Sequence, residues 1–168
     1  QAPEFRRFGR FSFDPYTGRV RDRRPVWLVG MMGSGKSTLA PLLATRLGRP
    51  WVDSDDEIAR RAGCSISELF AARGEAHFRS LERALVSELE SGDGVVALGG
   101  GAMVQPGMSE RLLQSGTVVY LQARPEVLLE RVGDEDSRPL LRNLTSEERL
   151  ERIRALLKER ELVYAQAH

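Results

Sequence analysis

A chain of 168 residues is the size of one domain around one core, and its apolar 41% and charged 29% are ordinary for a globular protein. A formal charge of +1 supplies no field for nucleic acid, no window has the apolar length of a membrane span, and the single cysteine, Cys64, excludes an internal disulfide or a cysteine-based zinc site. The expectation is a protein of a reducing compartment, with neither nucleic acid nor membrane as partner.

Residues 1–25 form a basic leader, with Arg6, Arg7, Arg10, Arg19, Arg21, Arg23 and Arg24 set against Glu4, Asp14 and Asp22. Asp14-Pro15-Tyr16-Thr17-Gly18 reads as a turn, and Arg10 to Phe13 as a short edge strand before it. The leader is expected to be a solvated extension; a transit-peptide remnant is the weaker reading, because such segments are poor in acids. The chain opens on Gln rather than Met, so a segment upstream is expected to have been removed or left out.

Val26-Trp27-Leu28-Val29 is apolar and β-prone, and Thr38 to Leu47 spaces its leucines as a helix would. Between them lies Gly30-Met31-Met32-Gly33-Ser34-Gly35-Lys36-Ser37, with all four fixed positions of a phosphate-binding P-loop. In that setting successive N–H groups and a helix N-terminus converge on phosphate, Lys36 reaches the terminal phosphates, and the Ser37 hydroxyl can sit on Mg²⁺. Gly33, Ser34, Gly35, Lys36, Ser37 and Thr38 are therefore the candidate nucleotide-binding residues. The bland alternative is a glycine-rich turn from strand to helix.

Apolar β-type runs then alternate with helical patterns, which means a parallel sheet in an α/β fold. The strand candidates are Val26–Gly30, Trp51–Asp53, Gly94–Leu98 and Val118–Leu121. Helices are expected over 37–47, 55–62, 66–72, 75–91, 107–115, 125–132 and 146–164, the last two apolar on one face only. Ser65 with Glu68 makes a capping box for the third. Asp53-Ser54-Asp55 ends the second strand at the sheet edge where α/β ligands bind. One carboxylate there can hold Mg²⁺ through water while the other accepts a proton from a substrate hydroxyl. Asp56 and Glu57 read as ordinary chemistry of a helix N-terminus. Gly99-Gly100-Gly101 ends the third strand, where bare backbone can donate an N–H or approach a phosphate; Ala97 before it offers no polar atom to a metal. Met31, Met32, Met103, Met108 and Trp27 read as core or loop filler. Trp51 can face core or substrate, and His77 reads as a surface residue.

The P-loop, the Asp-x-Asp, Phe78-Arg79, the glycine triplet, Ser137-Arg138-Pro139-Leu140-Leu141 and Arg160, in that order, resemble shikimate kinase over roughly residues 26–168. The resemblance implies a three-layer α/β/α P-loop kinase fold with a helical substrate-binding region at 54–91 and a lid at 132–143. It implies transfer of the ATP γ-phosphoryl group to the 3-hydroxyl of shikimate, with ATP and Mg²⁺ as cofactors, in chorismate biosynthesis. By the same resemblance Arg79 and Arg160 grip the shikimate carboxylate in forked pairs, with Glu82 holding Arg79 one turn away. Gly99, Gly100 and Gly101 border the substrate, and Asp55 binds its hydroxyls and acts as base. Asp53 orders the metal with Ser37 and lines the substrate, and Arg138 in the lid reaches the phosphates. A cytoplasmic monomer is implied, a plastid being the alternative if the leader is a transit remnant.

The chain stops at Tyr164-Ala165-Gln166-Ala167-His168, where the family continues into a fifth strand, an adenine-facing loop and a last helix. The expectations are a missing tail or, second to it, a rearrangement in which Arg10–Phe13 covers the open sheet edge. Two other functions compete: a kinase for another small acid such as gluconate, and a non-catalytic ligand-sensing module.

Overall fold

The computed structural model describes residues 7–8, 11–13, 20–132, 139–141 and 143–168. The leader holds β1 (Arg7–Phe8), β2 (Phe11–Phe13) and β3 (Val20–Asp22), paired antiparallel in sequence order. The expected strand before the turn is present as β2, but as the central strand of this sheet rather than an edge strand, since it pairs with both β1 and β3. It pairs within this small sheet and not with the open edge of the main one, a correction that follows from its registers with β1 and β3.

The main sheet is parallel, in the order β5 (Trp51–Asp53), β6 (Val95–Ala97), β4 (Val26–Val29), β7 (Thr117–Tyr120). Alternation along the strands sorts its side chains to two faces. Leu28, Val95 and Ala97 pack under α1 (Lys36–Leu47) through Ala40 and Ala44. Trp27, Val29, Val96 and Val118 pack on the other face against α4 (Met108–Ser115), α5 (Pro125–Val132) and α6 (Ser146–Tyr164). Those faces make the three layers. At the outer flank of β7, His168 donates its N–H to the Val118 carbonyl at 3.1 Å and accepts the Val118 N–H on Nδ1 at 3.1 Å.

Helices α2 (Ser54–Ala62) and α3 (Ile66–Leu89) close a separate apolar cluster around Ile58, Leu69, Phe78 and Leu85. The two helices expected over 66–72 and 75–91 run on as α3, broken at Gly74, whose φ of 76° and ψ of 170° are not helical. Ser65 caps α3 with Glu68 as read from the sequence. The buried stripe of α6 is Arg149, Ile153, Leu156, Arg160 and Tyr164, so helical spacing turns two arginines inward. Trp27 and Met31 are core as expected; Trp51 is not, and is 47% exposed on edge strand β5. Among the described residues no helix is long and apolar enough to cross a membrane. Of the expected lid, Pro139–Leu141 form a short 3₁₀ turn, and Arg138 lies outside the described residues.

Candidate active site

The P-loop turns between β4 and α1 with Gly30, Gly33 and Gly35 at φ of 138°, 75° and 97°. A Cβ on Gly33 would lie 2.9 Å from both the Leu128 carbonyl and the Val132 side chain, so the turn is closed to larger residues by α5 as well as by its dihedrals. Lys36, 8% exposed, folds its ammonium back over the loop and donates to the carbonyls of Gly30 and Met31 at 2.9 and 2.8 Å. A cavity of about 390 Å³ opens above, walled by Gly33, Gly35, Lys36, Ser37, Thr38 and Asp53. Arg131 from the last turn of α5 reaches the same cavity; sequence reading passed it over because it sits in an ordinary amphipathic helix.

Asp53 is the N-cap of α2. Its Oδ1 accepts the Asp55 N–H at 3.0 Å, and its Oδ2 accepts the Ser37 hydroxyl at 2.6 Å. The hydroxyl and carboxylate expected to share a metal are thus in contact on the phosphate side. These are hard oxygen donors, and among the described residues no three acids, histidines or cysteines gather to hold an ion. That sparse donor set suits Mg²⁺, which keeps water and phosphate oxygens for most of its shell. Asp53 walls the P-loop cavity and not the larger one. Glu57 behaves as the helix-start reading expects: it pairs with Arg60 and Arg61, whose hydrogen bonds pull its pKa down to about 2.

The larger cavity, about 520 Å³, lies between α2, α3, α6 and the glycine triplet. That volume is of the size for a small-molecule ligand. Ile66, Phe70, Phe78 and Leu140 give it an apolar wall, and Asp55, Arg79, Glu82 and Arg160 converge on it. Met32, read as filler, walls both cavities, and His77 walls neither. Arg79 donates to Glu82 Oε2 at 2.6 Å, as the helical spacing predicts, and also to Glu75 Oε1 at 2.8 Å. Arg160 donates to the Gly100 carbonyl at 3.1 Å, and the Tyr164 hydroxyl one turn later donates to the same oxygen.

Each glycine of the triplet meets a charged group. A Cβ on Gly99 would stand 2.7 Å from oxygens of both Asp55 and Glu82, and one on Gly101 would stand 2.5 Å from the Arg79 guanidinium. Close approach, rather than flexibility, favours glycine at 99 and 101, whereas a Cβ at Gly100 would make only ordinary contacts, the nearest at 3.4 Å. The Gly99 N–H is not offered to a ligand, which corrects the expectation for that residue: it donates to the Ser54 hydroxyl at 2.9 Å. Ser54 is 2% exposed and joins α2 to the end of β6; nothing in the sequence marked it. Glu82 is 1% exposed, and its Oε1 has no hydrogen-bond partner among the described residues. Burial pushes its pKa up to about 7; Arg79 opposes the rise, and the charges of Asp55 and Glu75 add to it.

Asp55, Met32, Gly99 and Gly100 are walls of both cavities. A phosphate held by the P-loop and an acid held by the two arginines would meet across Asp55.

A family model described as shikimate kinase matches residues 32–168. A shikimate kinase of Salinibacter ruber is 46% identical over 164 residues, spanning 94% of this chain and 78% of that protein. One of Paracidovorax citrulli is 43% identical over 145 residues, spanning 84% and 78%. Among solved structures, the shikimate kinase of Acinetobacter baumannii in complex with shikimate is 41% identical with a TM-score of 0.81, covering 86% of this chain and 80% of that one. The relatives reported are bacterial, which does not bear out the plastid alternative.

Proposed function

The chain belongs to the shikimate kinase family, and we propose that its two cavities hold the two substrates of that reaction, shikimate between Arg79 and Arg160 and the ATP phosphates on the P-loop. It is an ATP-dependent kinase that phosphorylates shikimate, with ATP and Mg²⁺ as the family's cofactors. The observation that supports the residue roles best is the shared wall at Asp55.

Arg79 and Arg160 bind the carboxylate of the ring and so fix its far side, with the 3-hydroxyl toward Asp55. Asp55 orients that hydroxyl and receives its proton as the hydroxyl oxygen bonds to the γ-phosphorus and the bond from that phosphorus to the β–γ bridging oxygen breaks, releasing ADP; phosphoryl transfer asks chiefly for such positioning. Backbone N–H groups of Gly33 to Thr38 cradle the phosphates, and Lys36 leaves its loop carbonyls to neutralise the terminal ones. Ser37 and Asp53 are the residues to hold Mg²⁺, which supplies countercharge to the phosphate oxygens. Arg138 belongs to the lid that excludes water. On this reading residues 26–168 are the kinase domain, 54–91 its substrate-binding region and 132–143 its lid, and the enzyme works as a cytoplasmic monomer.

The test is ADP release with MgATP, run with shikimate, with gluconate and with no acceptor. Turnover with shikimate alone is expected. Asp55→Asn should lose at least about a hundredfold in kcat with the melting temperature unchanged. Turnover with gluconate instead would move the substrate assignment, and an active Asp55→Asn enzyme would remove Asp55 from the chemistry.

A further inference from the structure

Glu82 has a second partner, from outside α3. The Gln105 side chain donates from Nε2 to Glu82 Oε2 at 2.9 Å and accepts from Arg83 Nη1 at 2.7 Å on Oε1. Arginine only donates, so Arg83 fixes which end of the amide is the oxygen and leaves the NH₂ for the carboxylate. Gln105 is 9% exposed, its own N–H closes a turn onto the Ala102 carbonyl at 3.3 Å, and Pro106 follows it. Its backbone is thus set by the same loop that carries Gly99 to Gly101. Gln105 does not wall the 520 Å³ cavity; it borders a separate pocket of about 370 Å³ beside Arg79, Gly101 and Arg160.

The arrangement gives Arg79 two unequal anchors. Glu75 is 56% exposed, and an ion pair to so wet a carboxylate holds little. Glu82 is buried, but a glutamate carboxyl turns freely about its last torsion unless something stops it. The Gln105 amide is that stop: it fixes the plane in which Glu82 Oε2 meets Arg79, and therefore where the guanidinium lies beside Gly101.

We propose that Gln105 is a positioning residue for the carboxylate clamp, acting on shikimate through Glu82 and Arg79 without touching it. This rests on the assignment of Arg79 to the substrate carboxylate.

Gln105→Met keeps the volume and removes both side-chain hydrogen bonds. The expected result is a rise of about tenfold in the KM for shikimate, the low end for a hydrogen bond to a charged group, with the KM for ATP within twofold and kcat within threefold. In a Glu82→Gln background the same substitution should add no more than twofold, because its effect runs through that carboxylate. A shikimate KM within twofold of wild type overturns the proposal, as does an equal rise in both KM values, which a merely structural role would give. If Gln105→Met does not fold, Arg83→Met decides, since that side chain is exposed: freeing the amide should raise the shikimate KM about threefold, and no change overturns the role. Wild-type protein with no shikimate turnover would fell the Arg79 assignment itself. Wild-type turnover with an unaltered variant fells only Gln105.

Discussion

At the floor of the arginine cavity Glu82 is asked to be two things, a charged partner for Arg79 and a buried group. Its pKa lies above the ordinary carboxylate value, at about 7, so the folded protein binds this proton more tightly than the unfolded chain does. The stability this proton provides is complete below about pH 4.5 and is lost as the pH rises through about 7. Relative to Glu82→Gln, the wild type should therefore lose stability between those limits, measured by urea unfolding at pH 4, 6 and 8. A difference that stays level across the range would show that Glu82 titrates in the fold as it does in the unfolded chain. Other residues of the site were legible one at a time. Lys36, Ser37, Asp55 and Arg79 each carry chemistry that a motif or a helical spacing announces. Gln105, Ser54 and Arg131 do not, because what places them is a hydrogen bond or cavity wall formed by a distant element.

The helices show where local patterns suffice. The sequence breaks at Gly74 between two predicted helices, and the chain does leave helical dihedrals there while α3 continues beyond. Its φ of 76° with ψ of 170° is a region open in practice only to glycine. Gly74→Ala should cost on the order of 1–3 kcal/mol of stability. If the helix straightens instead, Glu75 and Arg79 move relative to Phe70, and the shikimate KM rises with little loss of melting temperature. Calorimetry beside kinetics separates the two, and a variant unaltered in both would mean that the kink is not needed. The capping box at Ser65 was readable because two residues three positions apart hold it; an equal box at Thr145 and Glu148 starts α6 and carries the same signature. The inward arginines of α6 were harder, since Arg149 and Arg160 interrupt the apolar stripe by which a buried face is recognised.

Across the whole molecule, alternating strands and helices sufficed to give the parallel sheet, because the apolar runs of the central strands β4 and β6 are buried. The leader was less legible: its small sheet depends on pairing among segments too short to show a period. The meeting of two cavities at Asp55 was invisible, being a property of β4, β6 and α2 together. Its consequence reaches outside the natural substrates. Where two binding sites share a wall, a single compound with an acid at one end and a polyphosphate at the other could span them on a tether of a few bonds. Its second end would then bind as if present at millimolar concentration, and avidity should exceed that of the tighter half by about 10²–10⁴. Calorimetric titration of the joined compound against its separate halves would measure the gain. Affinity no better than the stronger half alone would mean that the passage past Asp55 is too narrow to thread. Otherwise the four residues common to the two cavities become the seam along which one inhibitor reads both.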